Sequence, residues 1–334
     1  MSIAAEETCS SVNPFWDSLR PVWDHPTCVW VNERNVVRVA KALAAEEFPV
    51  PSWREPTFPE PDEELFDFIA VGNSINFAFT SFETGKSFST EYHGLRWRGA
   101  FGMWACLRRA LENGLAITSG EFLSTLTLAQ CQELFAGDPP MPMIEERWAI
   151  LKEVGDVLCN YYQGRFQNLL ASSRGKAFGN QGLVTQLLKR FPSFRDESRH
   201  IKTGTLLQFE KRAQLLAMMY QGRALASTAL KPLSDFASLG PIADYSVPRA
   251  LHAQEILRYS PELERQIIAR SILAKDGIAE QEIRAQATNA QIMLLNEINS
   301  LRGTTVTFLE LDYKLWMLGR GVGAPHHLTR TTAY

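Results

Sequence analysis

Three carboxylates stand out by their surroundings. Asp244 lies in ADYSVPRALHAQ (243–254), just ahead of a helix start. Asp196 lies in FPSFRDESRH (191–200), beside Arg195 at a break between helices. Asp312 lies in LELDYKLWMLGR (309–320), inside an apolar, aromatic helix. A carboxylate can activate a water, steady a developing positive charge, or accept N–H donors from a ligand. It can also simply cap a helix. In ADYSVPRALHAQ, Pro248 suits a first helical turn. Ser246 is then the better N-cap, and Asp244 precedes it as a spare charge near the positive helix end. Asp196 has an ordinary role as a capping residue. Its functional alternative is a loop presenting a carboxylate and a guanidinium beside an aromatic wall. Asp312, if buried, needs a partner, either an Arg or a ligand bearing several N–H groups.

Lys211 and Arg212 in FEKRAQLLAMM (209–219) sit at the polar edge of an otherwise apolar helix. They are snorkelling surface cations, or cations that hold a phosphate or carboxylate. The remaining patterns exclude several chemistries. Six histidines are scattered, and the adjacent His326 and His327 cannot share a helix face as HExxH ligands do. No GxSxG, P-loop or GxGxxG occurs. Five cysteines in wide, unpaired spacing, without CxxC, suggest a reducing compartment rather than disulfides or zinc. The net charge of −3 gives no footprint for duplex nucleic acid, though a local pocket for one phosphate is allowed. The N-terminus is acidic and polar, unlike a signal peptide. No apolar run approaches the ~20 residues that cross a bilayer. The expectation is a cytoplasmic protein away from membranes, and no pattern carries an oligomeric signal.

The elements that must position these residues are mostly helical. Residues 1–33 hold Trp16, Trp23 and Trp30, too many large aromatics for a disordered tail, and should pack on the body. The spacing predicts a helix over 35–48. Residues 49–64 carry five prolines and read as an extended connector. The aromatic stretches 66–82 and 86–94 suggest a hairpin with Gly85 at its turn; the apolar run before it fits helix or strand. Beyond Trp97 the helical period dominates. Gly114 is a C-cap, Ser119 and Thr127 are N-caps, and 145–172 is one long amphipathic run. No repeat of 20–50 residues is present. The sum is a mainly α protein, one globular domain over 1–334, with a small β element near residues 66–94.

From about residue 32 to the C-terminus, several blocks resemble the queuosine salvage proteins. They are DFIAVGNSINFAF, ITS, EERWAIL, FPSFRDES, FEKRAQLLA, ADYSVPRAL, LRYS, LELDYKLW and HHLTRTTAY. The resemblance implies an N-glycosidase that splits queuosine 5′-monophosphate into queuine and ribose 5-phosphate. It also implies a fold related to the helical core of the helix-hairpin-helix DNA glycosylases. Those enzymes keep a catalytic Asp in D-x-x-V-x-R, and Asp244 to Arg249 is similar, with Pro248 between Val247 and Arg249. The L-P-G-V-G hairpin of duplex binders has only a weak echo in SLGPIAD, so a free nucleotide is the fitting substrate.

The implied roles follow from the substrate. Glycosidic cleavage builds positive charge on the ribose. Asp244 would stabilise that charge, activate the water, or both. The base is a 7-deazaguanine, so protonation at position 7 cannot help it leave. Asp196 and Asp312 are both candidates to accept its N–H edges. Phe77, Trp104, Phe194 and Tyr245 would sandwich it. Lys211, then Arg195, Arg249 and Arg330, would hold the 5′-phosphate. No metal or redox cofactor is expected, because water is the nucleophile. A non-catalytic carrier of base or nucleotide, and a nucleic-acid glycosylase, are the competing expectations.

Overall fold

The computed structural model describes residues 13–334; Cys9 and the polar start of the chain lie outside the described residues. The protein is mainly α. Fourteen helices and four small two-stranded sheets occur among the described residues. None of these helices is long and apolar enough to cross a membrane.

Helix α1 (Trp16–Asp24) lies against the body. Trp16 Nε1 donates to Gly240 O at 3.3 Å and Trp23 Nε1 to Ala285 O at 2.8 Å. Strand β1 (Val29–Val31) leads to α2 (Glu33–Ala44), which Asn32 caps by accepting from Asn35 N. The proline-rich stretch is non-helical only to residue 61. Asp62, Glu63 and Glu64 form the first turn of α3 (Asp62–Ser74), where carboxylates meet the positive helix end.

Helix α3 settles the ambiguous apolar run. Every residue from Leu65 to Ser74 is buried, so no polar face reveals a helical period. The chain then runs irregularly, and the β element comes later than expected. Around Gly85 there is a turn with one bridge, Thr80 to Ser87. The regular hairpin is β2 (Ser89–Tyr92) with β3 (Leu95–Arg98). Its tight turn places His93 and Gly94 at φ of 49° and 72°, the left-handed values that a two-residue hairpin requires.

Helices α4 (Ala100–Glu112), α5 (Gly120–Thr125) and α6 (Leu128–Leu134) follow. Ser119 caps α5, and Thr127 caps α6 in a box with Gln130. The expected run over 145–172 is two helices, α7 (Ile144–Tyr161) and α8 (Phe166–Ser172). Gln163 and Gly164, both at positive φ, break it. Then come α9 (Leu183–Arg190), strands β4 (Glu197–Arg199) and β5 (Leu206–Gln208), and α10 (Lys211–Leu225). Helix α11 (Ser246–Ala253) precedes β6 (Leu257–Tyr259), which pairs antiparallel with β1. The chain closes with α12 (Pro261–Ile268), β7 (Ile272–Leu273), α13 (Ile278–Leu301), α14 (Phe308–Gly321) and β8 (Leu328–Thr329). Strand β8 pairs parallel with β7.

Two buried features frame the site. Ser74 ends α3 and residues 75–78 then pass through the interior without regular structure, so their carbonyls need donors. Arg147 donates to the carbonyls of Ile75, Phe77 and Ala78, Lys211 Nζ to Asn76 O at 2.8 Å, and Arg212 to Ser74 O. Lys211 and Arg212 are therefore buried rather than at a solvated edge. The second feature is α13, whose buried polar side chains anchor other segments. Glu282 accepts from the N–H groups of Thr27, Cys28 and Val29. Arg284 Nε donates to Ala243 O at 3.2 Å, and Gln291 Nε2 to Ile242 O at 3.4 Å. The chain leading into Asp244 is thereby pinned to the longest helix of the described residues.

Candidate active site

A cavity of about 780 Å³, its open mouth included, lies among α4, α10, α14 and the segments 74–79 and 242–245. Its walls are largely aromatic, with Phe77, Phe101, Trp104, Tyr245, Tyr313, Trp316 and Tyr334 facing it. Its polar groups are few: Asp244, Asp312, Lys211 and Asn76. An apolar cavity with a few convergent polar groups is what a flat, polar-edged ligand requires.

Asp244 sits at the start of α11. Its Oδ1 accepts from Ser246 N at 2.9 Å and Val247 N at 2.8 Å. Asp244 is thus the capping side chain, and Ser246 is the first helical residue, not the cap expected from its spacing. A cap needs only one oxygen. Oδ2 accepts no hydrogen bond from the described residues, so the same side chain is both fixed and available. Asp244 is 8 % exposed and Asp312 7 %. Asp312 Oδ1 accepts from Ile242 N at 3.2 Å, two residues before Asp244.

Their environments push the two carboxyls apart. Burial raises Asp244, but the Lys211 charge, the two N–H donors and Arg249 oppose that rise. Burial raises Asp312 further, and the charge of Asp244 adds to it; Ile242 N–H and a weaker effect of Lys211 oppose it. Of the two, Asp312 is thus held more strongly toward its protonated form, and Asp244 less so. Burial pushes the Lys211 ammonium down to about 8, and Asp244 is the strongest influence holding it up. Lys211 and Asp244 line the same cavity, and the Lys211 Nζ donates to Asn76 O.

The sequence candidates divide cleanly. Asp244, Asp312, Lys211, Phe77, Trp104 and Tyr245 line the cavity. Asp196 does not. Arg284 grips it with two hydrogen bonds, at 2.8 and 2.5 Å, and it also accepts from Lys211 N at 3.1 Å. Phe194 is buried beside Phe191, with the Arg212 guanidinium 5.4 Å from its ring. Arg195 is exposed and donates to Leu188 O, and Arg330 is exposed over Phe82. Arg249 faces a different cavity, behind the stacked rings of Tyr245 and His326, whose centroids are 4.2 Å apart.

Sequence reading missed Phe101, Tyr313, Trp316 and Tyr334. Trp316 had a signal, since it stands four residues after Asp312 on one helix face. Tyr334 had none. Its ring lies 4.3 Å under the Arg284 guanidinium, and its carbonyl accepts from Ala78 N. His326 and His327 keep neutral rings, lowered by burial to about 4 and about 3. They bond Thr80 and Tyr334 respectively. No three His, Cys, Asp or Glu side chains among the described residues are grouped to hold a metal ion.

A family model described as queuosine salvage protein matches residues 56–334. A protein of Sphaerobacter thermophilus named queuosine 5′-phosphate N-glycosylase/hydrolase is 33 % identical over 319 residues, covering 94 % of this chain and 96 % of its own length. A Mus musculus protein of the same name is 30 % identical over 336 residues, 95 % of this chain and 98 % of its own. One from Schizosaccharomyces pombe is 28 % identical over 277 residues, 78 % and 76 % of the two chains.

Proposed function

The chain belongs to the queuosine salvage protein family, and on that premise we propose that it hydrolyses the N-glycosidic bond of queuosine 5′-monophosphate to queuine and ribose 5-phosphate. The observation that carries this reading is Asp244: one oxygen pinned by two backbone N–H groups, the other free beside an aromatic cavity.

As the C1′–N bond breaks, positive charge grows on the ribose and electrons pass to the base. Asp244 Oδ2 faces that charge and takes the proton of the water that attacks C1′. Fixing Oδ1 means no reorganisation is needed at that moment. Asp312 enters neutral and donates its proton to an edge of the departing base. It compensates for the carbon at position 7, which offers no lone pair to protonate. The water oxygen stays on C1′, Asp244 gains one proton and Asp312 loses one, so a transfer between them resets the site. Phe77, Trp104 and Trp316 supply π-faces for the base.

Incubation with queuosine 5′-monophosphate, followed by chromatography of the free base, tests the reading. An enzyme yields queuine in amounts that exceed the protein; a carrier returns the nucleotide intact. The pH profile gives a second check. Base release should fall on acidification through a limb above the ordinary carboxylate range, as the raised carboxyl of Asp244 takes up a proton. Lys211→Met removes the strongest influence lowering that carboxyl, so the limb should move to higher pH. A limb that stays in place in the variant would separate Lys211 from Asp244.

A further inference from the structure

Asp312, Trp316 and Arg320 follow one another at four-residue spacing on α14, so they share a face. The eight steps from first to last span roughly 12 Å at the helical rise. Exposure increases along them: Asp312 is buried, Trp316 half-buried and Arg320 exposed. The Arg320 guanidinium lies 4.9 Å from the Phe101 ring centroid and 5.0 Å from that of Trp316. Both rings line the cavity, so Arg320 stands on its rim. It donates no hydrogen bond to the described residues and forms no ion pair with them. A guanidinium held against two rings is placed by them and keeps its donors for a bidentate acceptor.

The segment that carries Asp244 runs beside this face. Ile242 N bonds Asp312 at its inner end. Farther out, α14 packs against Ser246 so closely that a Cβ on Gly319 would lie 2.2 Å from Ser246 O. Asp244 therefore falls between the levels of Asp312 and Arg320. A nucleoside monophosphate has the same order: base edge, anomeric carbon, phosphate.

We infer that Arg320 binds the 5′-phosphate of the substrate, and that the Asp312–Asp244–Arg320 spacing selects nucleotide over nucleoside. The inference rests on the glycosidase reading, with Asp244 at C1′. The other cations are poorly placed: Lys211 lies at the carboxylate end, Arg249 faces the neighbouring cavity, and Arg195 and Arg330 lie outside.

The test compares wild type, Arg320→Ala and Arg320→Lys on queuosine 5′-monophosphate and on unphosphorylated queuosine, by base release and by calorimetric binding. Arg320→Ala should raise KM for the nucleotide about 10- to 100-fold, leave kcat within about 3-fold and leave the nucleoside unaffected. Arg320→Lys should recover part of the loss, because a point charge replaces a bidentate one. An unchanged nucleotide KM in Arg320→Ala, or an equal loss on both substrates, would overturn the inference. Wild type that releases no base from either substrate would sink the glycosidase reading instead. Arg320 would then be judged by binding alone, where an unaltered nucleotide-over-nucleoside preference in Arg320→Ala counts against it.

Discussion

Asp244→Asn should fold normally, bind the base, and release it at least about 10³-fold more slowly than wild type. The amide oxygen of Asn can still accept from Ser246 N and Val247 N, so the start of α11 keeps its cap. What disappears is the negative charge facing the ribose and the group that takes the water's proton. The loss should therefore appear in kcat, with KM little changed, since these interactions are made in the transition state. Asp244→Ala also removes the cap and should lose about 1 kcal/mol of stability in addition. Turnover by Asp244→Asn within about tenfold of wild type, in a protein that unfolds normally, would remove Asp244 from the chemistry.

The second large effect concerns stability. Asp196→Asn should destabilise the protein by about 3–5 kcal/mol, because it leaves the buried charge of Arg284 without its principal partner. Arg284 is enclosed, with Asp196 at 2.5 Å and Glu280 at 3.5 Å, and Glu280 is itself pushed up to about 7 by burial. Glu280 thus offers an incomplete replacement. Asp312→Asn is the contrast. A neutral amide replaces a carboxyl that burial pushes toward its neutral form, and its oxygen can still accept from Ile242 N, so the unfolding midpoint should hardly move. The proton donated to the leaving base is lost, and base release should slow. Denaturant titration of the two variants beside base-release rates checks both halves. Similar midpoints for Asp196→Asn and wild type would show that Arg284 does not depend on the pair.

The helices were legible where sequence patterns are local. Ser119 and Thr127 cap the helices that their spacing indicated. Gly114, just beyond α4, takes the positive φ expected past a helix end. Legibility failed where burial hid the period. Helix α3 has no solvent face, and its apolar string fits helix or strand equally. The hairpin was placed one turn early because Gly85 advertised a turn more loudly than His93 and Gly94. At 145–172 the apolar face continues across Gln163 and Gly164, so the break was invisible to periodicity.

The site shows the same boundary between local and distant causes. By itself the sequence determined the helical class, the caps and the family-like blocks. It also marked Asp244 as a carboxylate left free by a Ser246 cap; in the structure Asp244 is itself the cap, and only its second oxygen accepts no hydrogen bond from the described residues. Only the tertiary structure separated Asp196 from Asp312. Each is an acid near aromatic residues, and nothing within ten residues of either says which one a buried cation neutralises. The difference is Arg284, 88 residues beyond Asp196, which neutralises one carboxylate and never reaches the other. Likewise Tyr334 becomes a cavity wall only because β8 pairs with β7 and brings the chain end back to Ala78. A carboxylate's chemistry is set by which charge reaches it and by how much water remains. Both depend on long-range packing, and local sequence does not encode them.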